Sequence, residues 1–356
     1  MDYPANTPHY FGAAFGPTRF SPSLTLALPI MTTSQESTFQ PLTLDMVRDA
    51  RERIRHAINH TPVLTSTTLN ALHGAQLYFK CENFQKVGAF KARGAANAVF
   101  SLSDAEAARG VVTHSSGNHA AALARAAKLR GIAAHVVMPN NAPKAKQAAV
   151  GRYGGKVVFC EPTLAAREAA AASVMERTGA TFIHPYDNLQ VMAGQGTAAL
   201  ELLEAVPDLD VLLVQVGGGG LLSGSAVVTR ALAPNAKVIA VEPAEADDAY
   251  RSVKSGKLIP LIKTTTVADG LRTSLSLRTF AEIQRHVHDV VTVSDEAIIA
   301  AMRRMWEVLK IVVEPSGAVP YAAVASAAVN FPGKRIGVMV SGGNLDLDRL
   351  PWMTGA

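Results

Sequence analysis

Lys91 lies between Phe90 and Ala92 in the loop Gly88-Ala89-Phe90-Lys91-Ala92-Arg93-Gly94, and an apolar run, Ala95 to Phe100, follows it. An ammonium group at the mouth of a helix is costly to bury unless something uses it. One use is a Schiff base, in which the charge is exchanged for a covalent bond to an aldehyde cofactor. An ordinary solvated lysine is the plain alternative. Gly217-Gly218-Gly219-Gly220 is the second chemical signal, set between the apolar run Val211 to Val216 and the helical run Leu221 to Leu232. Such a turn points several backbone amides inward with no side chain in the way, and the helix end adds positive potential. A phosphate is the natural guest. The dinucleotide spacing and the P-loop lysine are both missing.

Three further groups could take part. Ser115-Ser116-Gly117-Asn118-His119 also stands between a strand and a helix, so its two hydroxyls and early-helix amides could grip a carboxylate. Asn118 could donate to a ring oxygen, and His119 reads as a packing residue at the helix start. Ser341, ahead of Gly342-Gly343-Asn344, could meet a heterocyclic nitrogen. Glu242 and Asp248 flank a short loop, and with a loop carbonyl they would suit a hard cation such as magnesium or calcium.

The elements that must carry these groups alternate. Leu77 to Cys81 reads as a strand running toward the lysine loop. Val111 to His114, Ala134 to Met138 and Val157 to Cys160 read as strands, with helices at 120–129, 143–153 and 163–177. A second alternation starts with a helix at 194–205 and ends with a strand at 335–340. Repeated β-α units with short links predict open parallel sheets with a ligand at the carboxyl ends of their strands. Residues 1–40 differ: they hold five prolines and few charges, and are expected to be loosely packed or disordered.

Composition narrows the function classes. The 356 residues are 48% apolar, enough for a large core. The net charge of +5 is mild and the basic residues are scattered, which argues against nucleic acid and leaves a small anionic ligand compatible. Two cysteines without a CxxC pair suit a reducing, cytoplasmic setting. No apolar run is long enough to span a membrane.

Taken together, in identity, order and spacing, these motifs resemble the fold-type II pyridoxal-phosphate enzymes, in the serine racemase and serine/threonine dehydratase branch that includes 3-hydroxyaspartate dehydratases. The resemblance runs from about Leu42 to Trp352. It implies an α/β fold of two open, twisted parallel-sheet domains with the cofactor between them. The large domain would comprise 41–109 and 188–356, the small mobile domain 110–187, and the flexible extension 1–40.

The resemblance also implies roles. Lys91 would carry pyridoxal 5'-phosphate, with Phe90 beside it. Gly217, Gly218, Gly219, Gly220 and Leu221 would cradle its phosphate. Asn118 would contact the ring hydroxyl and Ser341 the pyridine nitrogen. Ser115, Ser116, Gly117, Asn118 and His119 would receive the substrate carboxylate. Lys91 would be the base, and Ser116 the acid on the opposite face that racemisation needs. Glu242, the Ala246 carbonyl and Asp248 would hold a divalent cation: magnesium, calcium or manganese. A homodimer acting on a small amino acid is implied. Tyr186-Asp187 is closer to dehydratase usage than to the asparagine of serine racemase. An uncharged serine at the ring nitrogen suits β-elimination. The implied reaction is dehydration of a β-hydroxy amino acid to a 2-keto acid and ammonia, serine or threonine first, with 3-hydroxyaspartate dehydration to oxaloacetate or racemisation of serine or aspartate as alternatives. Arg167 follows Glu161-Pro162-Thr163 at a helix start. Its plain reading is a solvated arginine paired with Glu161 or Glu168. By the resemblance it would face the cleft and receive a second carboxylate.

Overall fold

Apolar β-branched runs alternate with alanine-rich runs through most of this chain, and the structure turns that alternation into two sheets. A computed structural model describes residues 39–353 apart from 116 and 143. The strands are β1 (Val63–Leu64), β2 (Gln76–Cys81), β3 (Val111–His114), β4 (Ala134–Pro139), β5 (Lys156–Cys160), β6 (Thr181–Phe182), β7 (Val211–Gln215), β8 (Lys237–Pro243), β9 (Asp289–Val293) and β10 (Arg335–Val340). The helices are α1 (Leu44–Ile54), α2 (Thr67–His73), α3 (Lys91–Phe100), α4 (Asp104–Ala108), α5 (Asn118–Arg130), α6 (Lys144–Arg152), α7 (Leu164–Thr178), α8 (Leu189–Ala205), α9 (Gly220–Leu232), α10 (Asp248–Ser255), α11 (Leu277–His286), α12 (Asp295–Leu309) and α13 (Pro315–Ala325). Nearly all of the extension expected at 1–40, namely 1–38, lies outside the described residues, as does Ser116.

The larger sheet has the order β1-β2-β10-β7-β8-β9 and the smaller one β5-β4-β3-β6. Every pairing is parallel except β1 with β2, which is antiparallel. The two open, largely parallel sheets agree with the fold expected from the sequence, and β1 adds an antiparallel edge. The link through α2 is shorter than the crossover a parallel pair needs, so β1 folds back as an edge strand.

Strand alternation sorts the core. Leu212, Val214, Val238 and Ala240 face one way, under α1, α8 and α9. Leu213, Ile239 and Val241 face the other way, onto α12 and α13. In the smaller sheet Val111, Val136 and Met138 pack on α3 and α5, whereas Val112 and Val137 pack on α7. Helix α3 therefore belongs to the covering of the small sheet, and it also crosses α8 of the large one. At the crossing a Cβ on Gly194 would come within 2.6 Å of the Gly94 Cα, so the two backbones touch where glycine stands on both sides. No helix among the described residues is long and apolar enough to cross a membrane.

Candidate active site

The lysine loop is sewn to the turn that follows β10. Ala89 forms a bridge with Gly342, the Phe90 N–H donates to the Ser341 carbonyl at 3.0 Å, and the Gly343 N–H donates to the Gly88 carbonyl at 2.9 Å. Helix α3 starts at Lys91 itself, earlier than the apolar run predicts, and Phe90 provides no side-chain cap. The Lys91 Nζ donates to the Pro185 carbonyl at 2.8 Å and lies 5.0 Å from the Phe90 ring centre. Burial lowers its pKa to about 8. The amine is thus held where losing its proton is far easier than in water.

The glycine turn stands between β7 and α9. Gly219 takes φ +87° as the helix cap, and α9 has no side-chain cap, so its first-turn N–H groups open into the turn. Each glycine is needed for space. A Cβ on Gly218 would lie 2.3 Å from the Tyr186 ring, and one on Gly220 would lie 3.0 Å from the Tyr186 Cβ. A Cβ on Gly217 would lie 2.9 Å from the Leu271 Cα, and one on Gly219 would lie 2.8 Å from the Thr279 Cβ. Leu221 is buried in the core, so only its backbone can face a ligand. Tyr186 is held over the turn by its own segment. The Tyr186 and Asp187 N–H groups donate to the His184 Nδ1 at 3.3 and 2.8 Å. Burial lowers the His184 pKa to about 4, so the ring stays neutral and keeps accepting.

Asn118 opens α5 and meets a residue that sequence reasoning missed. Its Nδ2 donates to the Glu314 Oε1 at 3.0 Å. Asn344 completes the set: its N–H donates to the Glu314 Oε2 at 3.0 Å, its Nδ2 to the Asn118 Oδ1 at 3.0 Å and to the Val87 carbonyl at 2.7 Å. Burial, then the Asp269 charge, raise the Glu314 pKa to about 7. The only sequence signal for it is a lone acid between the apolar Ile311 to Val313 and Pro315. Ser341 is buried at the end of β10, beside this cluster through its loop-to-loop bonds.

The remaining candidates divide. The Ser115 Oγ accepts from the Gly117 N–H at 3.3 Å, which shapes the loop. His119 is buried, its Nε2 3.3 Å from the Ile183 carbonyl, and burial holds its pKa well below the usual histidine range. It does not line an open site. Arg167 is half-buried on α7, with its Nε donating to the Thr163 carbonyl at 3.4 Å. Its charge acts on His114, whose pKa is lowered by burial and then by Arg167. His114 ends the strand that leads into Ser115. Among the described residues Arg167 forms no ion pair; Glu161 instead accepts from the Asn140 Nδ2 at 3.1 Å.

The expected divalent-cation site is corrected. Among the described residues no three or more His, Cys, Asp or Glu side chains are grouped so as to hold a metal ion. Glu242 instead accepts the Ala249 and Tyr250 N–H groups at 3.0 and 2.8 Å, at the start of α10. Burial and the Asp248 charge push its pKa up to about 9, against the lowering by these two N–H groups. Asp248 accepts from the Leu275 N–H at 3.4 Å, and Ala246 is buried between them in sequence. The acid pair ties α10 to the segment before α11. Magnesium, calcium or manganese has no support there.

The residues present fit pyridoxal phosphate. An uncapped helix end with four glycines suits a phosphate, a desolvated amine suits the aldehyde, and Ser341, Asn118 and Glu314 offer polar partners for a ring. Comparisons with known proteins agree. Residues 54–342 match the family described as pyridoxal-phosphate dependent enzyme. The chain is 54% identical over 303 residues to a beta-hydroxyaspartate dehydratase of Paracoccus denitrificans (strain Pd 1222), covering 85% of this chain and 96% of that protein. It is 49% identical over 306 residues to a serine racemase of Oryza sativa subsp. indica, covering 85% and 90%. Among solved structures, that of maize serine racemase aligns with a TM-score of 0.86 at 46% identity, covering 88% of this chain and 97% of that one.

Proposed function

The chain belongs to the pyridoxal-phosphate dependent enzymes, and from that premise we propose that it is a β-hydroxy-amino-acid dehydratase with 3-hydroxyaspartate as preferred substrate, releasing oxaloacetate and ammonia. Bound between Lys91 and the glycine turn, pyridoxal phosphate supplies an electron sink for the bonds at the substrate α-carbon. The protein's own part is binding and proton movement. The N–H groups of 217–221 would hold the phosphate, and Tyr186 covers the turn. The Lys91 Nζ, with its pKa lowered to about 8, takes the α-proton. Ser115, Ser116, Gly117 and Asn118 would take the α-carboxylate. The Ser341 hydroxyl would meet the ring nitrogen without a charge, which would favour loss of the β-hydroxyl over amino transfer.

The observation that carries the substrate choice is Arg167, a half-buried guanidinium with no acidic partner among the described residues, acting on His114 beside the carboxylate loop. A second carboxylate would give it the two-pronged partner it lacks. The Paracoccus relative supports the same choice by its name. Threonine offers the guanidinium only a methyl group.

The test compares kcat/KM for serine, threonine and both 3-hydroxyaspartate diastereomers in the parent and in Arg167→Ala. A hydrogen bond to a charged group is worth about 1.5–3 kcal/mol, so the substitution should cost hydroxyaspartate about one to two decades and leave threonine almost untouched. Equal losses on every substrate, or a parent that turns over no hydroxyaspartate, would remove Arg167 from this role. The rice relative makes D-amino acid a product to be assayed in the same experiment.

A further inference from the structure

Behind the lysine, on the far side of its helix, lies a closed set of buried charges. Lys80 on β2, Glu82 just after it and Arg93 on α3 are fully buried, and Glu201 on α8 is nearly so. The Arg93 Nε and Nη2 donate to the two Glu82 oxygens at 2.7 and 2.8 Å. Its Nη1 and Nη2 donate to the two Glu201 oxygens at 2.7 and 2.8 Å. The Lys80 Nζ closes the set, donating to the Glu201 Oε2 at 2.6 Å and to the Thr61 carbonyl at 2.7 Å. Two cations and two carboxylates balance. One guanidinium thus grips two carboxylates, each by both oxygens, a geometry that a single amine cannot copy.

Stability alone does not account for such a set. Well-packed apolar side chains of the same volume often serve as well or better. What the forks supply is direction, and α3 needs it. The helix has no side-chain cap at Phe90. Its first turn is held by Arg93 and by the Gly94 N–H, which donates to the Gln195 Oε1 of α8 at 3.1 Å. Arg93 follows Lys91 by two residues, which puts the two side chains on opposite sides of the helix. Anchoring the back of the first turn therefore sets where its front points.

We propose that Arg93 is a positioning residue for Lys91: its forks to Glu82 and Glu201, closed by Lys80, fix the rotation of α3 about its axis and so the reach of the lysine amine into the glycine-turn site. This rests on the cofactor reading above. Attachment of the cofactor joins the Lys91 nitrogen to the aldehyde carbon, and the aldehyde oxygen leaves as water. That step depends on where the amine stands. Seating the phosphate and ring depends on the glycine turn and on Ser341, Asn118 and Glu314, which lie outside the charge set.

The experiment separates the two. Cofactor-free parent, Arg93→Lys and the double substitution Lys80→Met with Glu201→Gln are titrated with pyridoxine 5'-phosphate, which has no aldehyde. The rate of attachment of pyridoxal 5'-phosphate is then followed by absorbance. We expect unchanged affinity for pyridoxine phosphate and attachment slower by about ten-fold or more, since misplacement by an ångström can cost about a hundred-fold. An unchanged attachment rate would overturn the proposal. So would equal losses in both measurements, the mark of general damage to the fold. Should Arg93→Lys not fold, the double substitution, which keeps the Glu82 fork, carries the same comparison. A parent that attaches no cofactor would overturn the cofactor reading itself.

Discussion

Glu314 holds a carboxyl group in a buried corner with Asn118 and Asn344, where burial and the Asp269 charge raise its pKa to about 7. The sign of the consequence is fixed. Between the unfolded value of 4.5 and about 7 the folded chain keeps a proton that the unfolded chain has lost. Stability is therefore fully present below that window and falls as pH rises through it. The shift corresponds to about 3 kcal/mol at most. In urea titrations of cofactor-free protein, the parent should lose stability from pH 5 to pH 8 and Glu314→Gln should lose less, since Glu242, with its pKa raised to about 9, adds a loss of the same sign in both proteins. Parallel pH profiles would show that the carboxyl titrates normally. At this scale the sequence was partly legible. Lys91 and the four glycines stand out because each type is costly in its place. Glu314 does not, since an acid ahead of Pro315 reads as an ordinary helix start, and only the fold brings Asn118 to it.

The glycine turn and Tyr186 form one element, because the turn comes close to the ring only where side chains are missing. Gly218→Ala would place a methyl group 2.3 Å from the Tyr186 ring. Overpacking of this kind costs about 1–3 kcal/mol. The predicted result is a weaker hold on pyridoxal phosphate, by about ten-fold or more if that strain falls on the bound state. Adding Tyr186→Ala should restore part of the affinity by making room. A Gly218→Ala protein with parental affinity would show that the ring moves aside freely. The positions of α3, α5, α8 and α9 follow from alanine-rich or apolar runs that the sequence displays openly. The acid loop misled because carboxylates near one another look the same whether they bind a cation or accept backbone N–H groups. Glu242 does the latter for Ala249 and Tyr250.

At the scale of the molecule, both sheets were legible because β3, β4, β7, β8 and β10 are strongly apolar and nearly all buried, with turn residues between them. The stretch from α10 to β9 was not. Its helices are short and mixed in polarity, and β9 is only partly buried, so neither periodicity was strong. The antiparallel β1 was hidden by its two-residue length. What the whole arrangement predicts is one reaction at one amine. The direct measurement is to incubate the holoprotein and its Lys91→Ala variant with 3-hydroxyaspartate and to quantify oxaloacetate, ammonia and D-amino acid. The prediction is equimolar oxaloacetate and ammonia from the parent and almost none from Lys91→Ala. Inverted amino acid without keto acid, or equal turnover by the two proteins, would contradict it.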